Sequence, residues 1–226
     1  MILEPKTIAV IGGTGAQGSG LSLRWARCGH RVVVGSRDME KAARVCEEMR
    51  TKAPESTISH ASYTEAAAQA EIVVITVPYA AQRASVEEIR QHLDGKILVD
   101  TTVPLKPPKV ARVHLPAGGS AVAALQELLE ESTRLVSAFQ NVSARHLRDL
   151  DHMIDCDVLV CGDDADARET VIRLAGDIGV RAWHAGALCN STAVEALTSV
   201  LIAINMRYKV DGSGIRITGI PDAKGA

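Results

Sequence analysis

Residues whose types and spacing suit phosphate chemistry form a glycine cluster near the start of the chain. Gly13-Thr-Gly15-Ala-Gln-Gly18 fits the pattern G-x-G-x-x-G and follows an apolar, strand-like run at residues 8–11. In this pattern Gly13 lets the chain turn out of the strand, Gly15 lets a pyrophosphate approach the backbone, and Gly18 lets the next helix pack closely. The first N–H groups of that helix have no partners within it and favour phosphate. The cluster therefore predicts a dinucleotide-binding site.

A second polar set follows the predicted second strand. Ser36 and Arg37 come directly after it, and Lys41 lies one helical turn further on. NAD-binding proteins usually place an acidic residue here for the ribose hydroxyls, whereas a hydroxyl, a guanidinium and an ammonium suit a ribose 2′-phosphate. Cations at a helix start oppose its dipole unless an anion is bound. The set predicts NADP(H) rather than NAD(H), with Asp38 as the helix cap.

Alternating strands and helices must position these residues. Continuous β-branched runs are typical of parallel strands that are buried on both faces. We expect strands at 6–11, 31–35, 57–60, 71–77, 96–100, 134–138, 157–161 and 180–184. Helices are expected at 16–28, 39–52, 121–131, 165–176 and 190–208, with two more after Ser62 and Ser85. The pattern predicts an α/β fold: a Rossmann-type, doubly wound, mainly parallel sheet with a long last helix.

Ligands of such sheets bind outside the carboxyl ends of the strands. Residues 12–15, Ser36, 76–79 and 101–104 should therefore share one rim. We expect residues 1–186 to form the dinucleotide-binding domain.

Three sequences fit the capping-box pattern at a helix start. They begin at Ser62, Ser85 and Thr192, each with a glutamate three residues later. The last predicted helix is strongly apolar, and we expect it to be largely buried. Residues 105–119 form a proline-rich, locally basic stretch, which is interpreted as a solvated loop or, alternatively, as a contact for an anionic substrate tail.

Composition excludes several classes of function. The 226 residues carry a net charge of -2, which does not suggest binding to nucleic acid or to a membrane surface. No apolar run is expected to reach the length of a bilayer span, and the first residues lack a signal-peptide pattern, so a cytoplasmic protein is expected. The five cysteines form no C-x-x-C pair and the histidines are scattered, which predicts reduced thiols and no metal site. Cys156 and Cys161 are interpreted as structural.

Familiar catalytic patterns are missing from the sequence. It contains no G-x-S-x-G elbow, H-E-x-x-H pair, Walker A sequence or Tyr-x-x-x-Lys pair. Hydride transfer between two heterocyclic cofactors would account for this, because that reaction needs apposed rings and exclusion of water more than a strong acid or base. No catalytic residue is assigned.

Taken together, the motifs resemble those of the NADPH-dependent reductases of coenzyme F420, the F420H2:NADP oxidoreductases. The matching stretches are Ile11-Gly-Gly-Thr-Gly-x-x-Gly18, Val33-Val-Gly-Ser-Arg37 with Lys41, Val136-Ser-Ala138, Val160-Cys-Gly-Asp-Asp164, Asn190-Ser191 with Val194-Glu195, and Gly214-Ile215. The resemblance implies a sheet extended by C-terminal strands and a small C-terminal helical portion, residues 187–226, whose helix and tail close the substrate site. It also implies a homodimer that transfers hydride reversibly between nicotinamide C4 and deazaflavin C5.

The resemblance also implies a role for individual residues. The pyrophosphate would be held by Thr14, Gly15, Ala16 and Gln17, and the 2′-phosphate by Ser36, Arg37 and Lys41. The nicotinamide side would be formed by Thr76, Val77 and Pro78. The deazaflavin side would be formed by Gln140, Val142, Asn190, Gly214 and Ile215.

One position departs from the family pattern. The family often has histidine where this chain has Gln140, within Gln140-Asn-Val-Ser-Ala144. Glutamine can donate a hydrogen bond to a ring carbonyl but does not titrate near neutral pH. Two alternatives therefore stay open. One is an NADPH-dependent reductase of another acceptor, such as flavin, ferric chelate or a small imine or carbonyl; the other is a non-catalytic NADP(H)-sensing protein.

Overall fold

The structure, a computed structural model, describes residues 4–220. This part of the chain contains eight strands and seven α-helices. The strands are β1 Thr7–Ile11, β2 Arg31–Gly35, β3 Ile58–Ala61, β4 Ile72–Ile75, β5 Ile97–Asp100, β6 Arg134–Ser137, β7 Asp157–Gly162 and β8 Arg181–His184. The helices are α1 Ala16–Arg27, α2 Met39–Lys52, α3 Tyr63–Gln69, α4 Tyr79–Ile89, α5 Ala144–Arg148, α6 Ala165–Asp177 and α7 Ser191–Tyr208. The expected fold class is confirmed.

The strands form one sheet in the order β3-β2-β1-β4-β5-β6-β7-β8. Strands β1 to β6 run parallel, β7 pairs with β6 in the antiparallel sense, and β8 runs parallel to β7. The strand order reverses between β1 and β4, which is the switch point where ligands of such sheets bind.

The carboxyl ends of the parallel strands lie level with one another. Ile11 pairs with Gly35 on one side and with Ile75 on the other. Asp100 pairs with Ile75 and with Ser137. The loops that follow these strands therefore meet at a single rim, as expected.

The sheet is buried on both faces. Ile8 and Val10 belong to one apolar cluster, whereas Ala9 and Ile11 belong to the other, and all four are 0% exposed. This alternation is the one expected when side chains of a central strand point to opposite faces and helices cover both.

The first predicted capping box is confirmed, and the second is wrong. The Ser62 hydroxyl accepts from Glu65 N while the Glu65 carboxylate accepts from Ser62 N. Ser85 instead lies inside α4, which starts directly after Pro78. Proline supplies a helix-compatible φ at this point and needs no N–H partner, so the helix starts earlier than the Ser-x-x-Glu pattern indicated.

The C-terminal helix differs from its prediction in two ways. It begins at Ser191, after a 3₁₀ turn at Leu188–Asn190, so Thr192 is not its N-cap. Several of its apolar residues are exposed, among them Val200 at 45% and Ile204 at 37%, so the helix is not largely buried.

The expectation that no run is long enough to span a bilayer is also corrected. Residues Leu188–Tyr208 form a stretch of 21 residues with mean hydropathy 1.3, which is sufficient by length and composition alone. These two properties do not distinguish a membrane span from a helix packed on a protein surface.

The predicted helix at 121–131 is also shorter than expected, since the structure has a 3₁₀ helix at Ala123–Leu128. The segment before this 3₁₀ helix bonds to the Glu195 carboxylate of α7.

The short helix α5 was not expected, and it packs closely on α1. Gly20 makes this contact possible, since a Cβ there would lie 2.6 Å from Leu147 Cβ and 3.0 Å from Leu147 C. The α1–α5 contact joins the first strands of the sheet to the segment between β6 and β7.

Replacing Gly20 should expose this constraint. We expect Gly20→Ala to destabilise the protein by about 1–3 kcal/mol, because the new methyl group meets backbone that cannot rotate away. Gly176→Ala is the matched control. It also lies in a helix, nothing stands within 4 Å of its Cβ position, and it should stabilise by about 0.4–1 kcal/mol. Urea unfolding measures both; equal effects would show that the α1–α5 contact is loose.

Candidate functional site

The glycine loop makes its sharp turn one residue earlier than the sequence indicated. Gly12 has φ +80°, whereas Gly13 packs closely against the end of β1. A Cβ on Gly13 would lie 2.8 Å from Val10 O. The Gly13 N–H bonds to that same carbonyl at 3.1 Å and to Gly35 O at 3.3 Å. The loop is therefore tied to the ends of β1 and β2.

The other two glycines of the loop serve different purposes. A Cβ on Gly18 would lie 2.5 Å from Thr76 Oγ1 and 2.7 Å from Gly13 Cα, which confirms the expected close packing of α1. Gly15 is the N-cap of α1, and a Cβ there would meet Gly12 O alone, at 3.3 Å. The outer side of Gly15 is thus open for a phosphate, next to N–H groups of the first helical turn.

The other loop residues differ in exposure and in contacts. Thr14 is half-buried and Ala16 is exposed. Gln17 directs its side chain away from the loop, and its Nε2 donates to Phe139 O at 2.8 Å. Any contact of Gln17 with phosphate is therefore left to its backbone N–H.

The residues after β2 form a tight, cationic turn. The buried Ser36 hydroxyl donates to Asp38 O at 2.9 Å and accepts from Asp38 N at 3.1 Å. The Asp38 carboxylate accepts from Lys41 N at 2.9 Å, which confirms Asp38 as the cap of α2. The Lys41 side chain is exposed and has no ionic partner within residues 4–220.

Arg37 has partners that the sequence did not indicate. Its Nη2 lies 3.0 Å from Glu88 Oε2, and its guanidinium stands 5.0 Å from the centroid of the Tyr63 ring. Both ionic side chains are substantially exposed, 55% for Arg37 and 39% for Glu88. Such a pair stabilises a protein by about 0–1 kcal/mol. It therefore orients the Arg37 side chain but leaves it able to bind another anion.

The residues after β4 line the middle of the rim. The Thr76 hydroxyl donates to Ile11 O at 2.9 Å, so it joins β4 to β1. Val77 is buried, and Pro78 is exposed at the start of α4. Thr101, after β5, makes the equivalent bond to Ile75 O at 3.0 Å.

Sequence reasoning missed a buried carboxylate at the end of β5. Asp100 is 0% exposed and accepts from Gln82 Nε2 at 2.6 Å and from Thr102 N at 2.7 Å. Burial raises the pKa of Asp100, and the bonds from Thr102 and Gln82 offset part of that rise. A polar residue that ends an apolar strand at the ligand-binding rim was the available signal.

A second buried carboxylate, Glu195, was assigned to a capping box and has another partner. Its oxygens accept from Ser120 Oγ at 2.6 Å, Ala121 N at 2.8 Å and Val122 N at 3.1 Å. Burial raises the pKa of Glu195, the three bonds lower it, and the charge of Asp100 raises it further. The third capping-box prediction is therefore wrong, because Glu195 fastens α7 to the segment after the 105–119 loop.

Gln140 is buried beside this rim at 4% exposure. Its Nε2 donates to Asp100 O at 2.9 Å and to Ser137 Oγ at 2.8 Å, while its Oε1 has no hydrogen-bond partner within residues 4–220. Its backbone carbonyl accepts from Thr198 Oγ1 at 2.9 Å. Gln140 therefore connects β5, β6 and α7, and it retains one unused acceptor.

The tail, residues 209–220, lies on the same side of the rim as Gln140. Because β7 is antiparallel to β6, its first residue lies beyond the carboxyl end of β6, where Asp157 N donates to Ile215 O at 2.8 Å. Gly214 packs so closely on Cys156 that a Cβ would lie 2.3 Å from Cys156 Cβ. Val142, which is 6% exposed, lines a 140 Å³ cavity with Gln140, α7 and Ser213.

The Asp157 carboxylate bonds both to side chains of β8 and to the tail. Its oxygens accept from Arg181 Nε and Nη2, each at 2.8 Å, from Trp183 Nε1 at 2.8 Å and from Ile217 N at 2.7 Å. Burial raises the pKa of Asp157, but these bonds outweigh burial and lower it overall. The tail is thereby fixed against the sheet.

Asn190 lies apart from this group. Its Nδ2 donates to Ala185 O at 2.8 Å, and its side chain is exposed. Thr198, which contacts Gln140, is eight residues further along α7, or about 12 Å at the helical rise. The structure thus brings Gln140, Val142, Gly214 and Ile215 to one side of the rim and places Asn190 at its margin.

The thiols and imidazoles form no chemical cluster in the described part of the chain. All five cysteines are free, and burial raises the pKa of the Cys46, Cys156 and Cys161 thiols to about 11. His146 stacks on His152 with ring centroids 4.0 Å apart. Within residues 4–220 no group of three or more His, Cys, Asp or Glu residues is arranged to hold a metal ion.

Comparisons with known proteins show which family the chain is similar to. Residues 7–104 match the family model described as NADP oxidoreductase, coenzyme F420-dependent. The F420-dependent NADP reductase of Methanocaldococcus jannaschii is 40% identical over 221 residues, which cover 94% of this chain and 98% of that protein. The enzyme of the same name from Methanothermobacter thermautotrophicus is 42% identical over 222 residues, which cover 95% and 96%.

A solved structure of a protein from Arthrobacter sp. FB24 has the same fold. Its TM-score is 0.80 at 24% identity, and the match covers 95% of this chain and 100% of that one. The family model contains the glycine loop and the cationic turn, and the two relatives extend the similarity over nearly the whole chain. The chain therefore belongs to the family of coenzyme F420-dependent NADP oxidoreductases.

Proposed function

We propose that this protein transfers hydride reversibly between NADP(H) and coenzyme F420. The rim carries the proposal, because it brings an open glycine loop and a cationic turn to one side of the β1–β4 switch point and a buried polar wall to the other. The relatives at 40% and 42% identity, both F420-dependent NADP reductases, support it.

The cofactor side fits NADP(H). Gly13, Gly15 and Gly18 leave room for a pyrophosphate against the first turn of α1, where Thr14, Ala16 and Gln17 offer backbone N–H groups. Ser36, Arg37 and Lys41 lie at the end of β2 and would hold the 2′-phosphate. The neighbouring Thr76, Val77 and Pro78 would lie along the nicotinamide. NADPH supplies the hydride when it is bound.

The acceptor side is formed by the wall around Gln140. Val142 and the tail residues Gly214 and Ile215 adjoin it, and Asn190 contributes from the margin. The buried Oε1 of Gln140 can accept one hydrogen bond, whereas its Nε2 is already used. The wall orients a ring and excludes water, which are the requirements of hydride transfer between two rings.

The protein is proposed to be a cytoplasmic homodimer with a C-terminal closing unit, 187–226, packed on the NADP-binding unit, 1–186. Free thiols support a reducing compartment. The outer side of α7 supports dimerisation, because Val200 and Ile204, four residues apart on one helix face, are 45% and 37% exposed.

Mixing protein, NADPH and F420 tests the activity directly. We expect the deazaflavin absorbance to bleach, because its reduction interrupts the conjugated ring. Folded protein that binds NADPH but leaves F420 unreduced would contradict the proposal. Turnover of flavin, ferric chelate or an imine under those conditions would identify another reductase, and no turnover at all would identify a sensor.

Removing Arg37 tests the assignment of the 2′-phosphate. Arg37→Ala should weaken NADPH binding by about 1.5–3 kcal/mol, the value of a hydrogen bond to a charged group, and should leave NADH binding almost unchanged. Glu88→Gln should leave NADPH affinity the same or raise it by up to about 1 kcal/mol, because it releases Arg37.

Arg173→Ala is the matched control for these variants. Arg173 also pairs with an exposed glutamate, Glu169, at 3.1 Å, but it lies on α6. Fluorescence titration measures the dissociation constants. Equal weakening of NADPH and NADH by Arg37→Ala would place Arg37 away from the 2′-phosphate.

The mass in solution tests the proposed dimer. Sedimentation equilibrium should give twice the chain mass of 24.0 kDa. Ile204→Glu should shift the mass towards one chain, because a charge enters the apolar side of α7. Met153→Glu, at a residue that is 84% exposed and lies before β7, should not. A monomeric parent protein would overturn the proposed dimer.

A further inference from the structure

One side of α1 carries the segment between β6 and β7. Gln17, Gly20 and Arg24 are spaced by three and four residues, so they lie on one helix face. Gln17 Nε2 bonds to Phe139 O at 2.8 Å, and Gly20 packs on Leu147. Arg24 donates to the carbonyls of Leu147 at 2.9 Å, and also to those of His146, Asp149 and His152.

The three contacts lie at different distances from the rim along α1. Gly20 and Arg24 hold α5 and its C-terminal carbonyls, which lie along the middle and end of α1. Gln17 is in the first turn of α1, the turn whose N–H groups face the proposed pyrophosphate site. Gln17 alone of the three therefore holds acceptor-side backbone at the level of the rim.

Phe139, the residue that Gln17 holds, has an unusual backbone conformation. Its φ is 68°, in the left-handed region that a bulky residue enters at a cost. Its ring is 0% exposed and packs edge-on against Trp25, with centroids 5.7 Å apart. The ring contact fixes the side chain, and the Gln17 amide fixes the direction of the carbonyl.

The left-handed turn determines where the next residue lies. After Phe139 the chain turns back towards β5, and the Gln140 amide reaches Asp100 O and Ser137 Oγ. Rotating the Phe139 peptide would move Gln140 and Val142 with it. The position of the acceptor wall thus depends on a hydrogen bond from the phosphate-binding loop.

We propose that Gln17 is a positioning residue for hydride transfer: its carboxamide, through Phe139 O, sets the position of the Gln140–Val142 wall relative to the nicotinamide side of the rim. The inference rests on the proposed function, because it concerns the acceptor of that same reaction. In this proposal the two parts of Gln17 have separate roles. The backbone N–H contacts the phosphate, and the side chain positions the acceptor wall.

Gln17→Met removes the donor at almost constant length. We expect the single-turnover rate of hydride transfer, with both NADPH and F420 saturating, to fall by about 10- to 100-fold, the range associated with a displacement of about 1 Å. NADPH affinity should change by no more than about twofold, because the backbone N–H remains. Stopped-flow absorbance measures the rate, and fluorescence titration measures the affinity.

The readouts distinguish positioning from other roles. A loss of folded protein lowers the amplitude of the single turnover but not its rate. A side-chain role in holding phosphate weakens NADPH but leaves the rate at saturation unchanged. A rate at saturation within twofold of the parent, with or without a loss of NADPH affinity, overturns the inference.

Two further variants complete the test. Ser19→Ala, in the same part of α1, removes a local bond to Ala16 O and should keep the parent rate. If Gln17→Met does not fold, Gln17→Asn takes its place, because its shorter amide cannot reach Phe139 O, and the same loss of rate is expected. A parent protein that does not reduce F420 overturns the proposed function as well, whereas an active parent with an unaffected variant overturns this inference alone.

Discussion

The close approach of α1 to the ends of β1 and β4 is the constraint on which the site depends. At Gly18 a side chain as small as alanine would meet Thr76 Oγ1 and the backbone of Gly13. Because no side chain intervenes, the first turn of α1 lies level with the strand ends and presents its N–H groups there. The same placement brings Gln17 within reach of Phe139. One glycine therefore allows both the proposed phosphate site and its connection to the proposed acceptor wall.

The C-terminal helix is held at this rim by polar contacts rather than by a continuous apolar face. Glu195 accepts three hydrogen bonds from the segment at 120–122, and Thr198 donates to Gln140 O. A buried carboxylate with three donors is costly to release, because each donor would lose its partner in an apolar setting. These contacts leave the opposite side of α7 apolar and exposed, which agrees with the proposed dimer.

Much of the fold follows from local patterns, and the failures have a common cause. Strands β1, β2 and β4 are predictable because their β-branched runs are uninterrupted, and Ser62 with Glu65 is predictable because both capping partners are three residues apart. The patterns at Ser85 and Thr192 look the same locally. Residues outside the local pattern overrule them: Pro78, seven residues before Ser85, is the N-cap of α4, and Glu195 bonds to residues more than 70 positions away. The spacing of the cofactor residues was readable, whereas the acceptor wall, made from residues such as Asp100 and Gln140, is assembled by tertiary pairing.

The two buried carboxylates beside the rim, Asp100 and Glu195, both accept hydrogen bonds from neighbouring donors. Asp100 and Glu195 are both 0% exposed, and neither faces a cation within the described residues. Their oxygens are occupied by N–H and O–H donors from the surrounding backbone and side chains, so each carboxylate orders a turn. Gln140, in the same wall, cannot titrate at all near neutral pH. A site whose polar groups are either fixed or untitratable suits a reaction in which a hydride moves between two rings and the protein controls their separation.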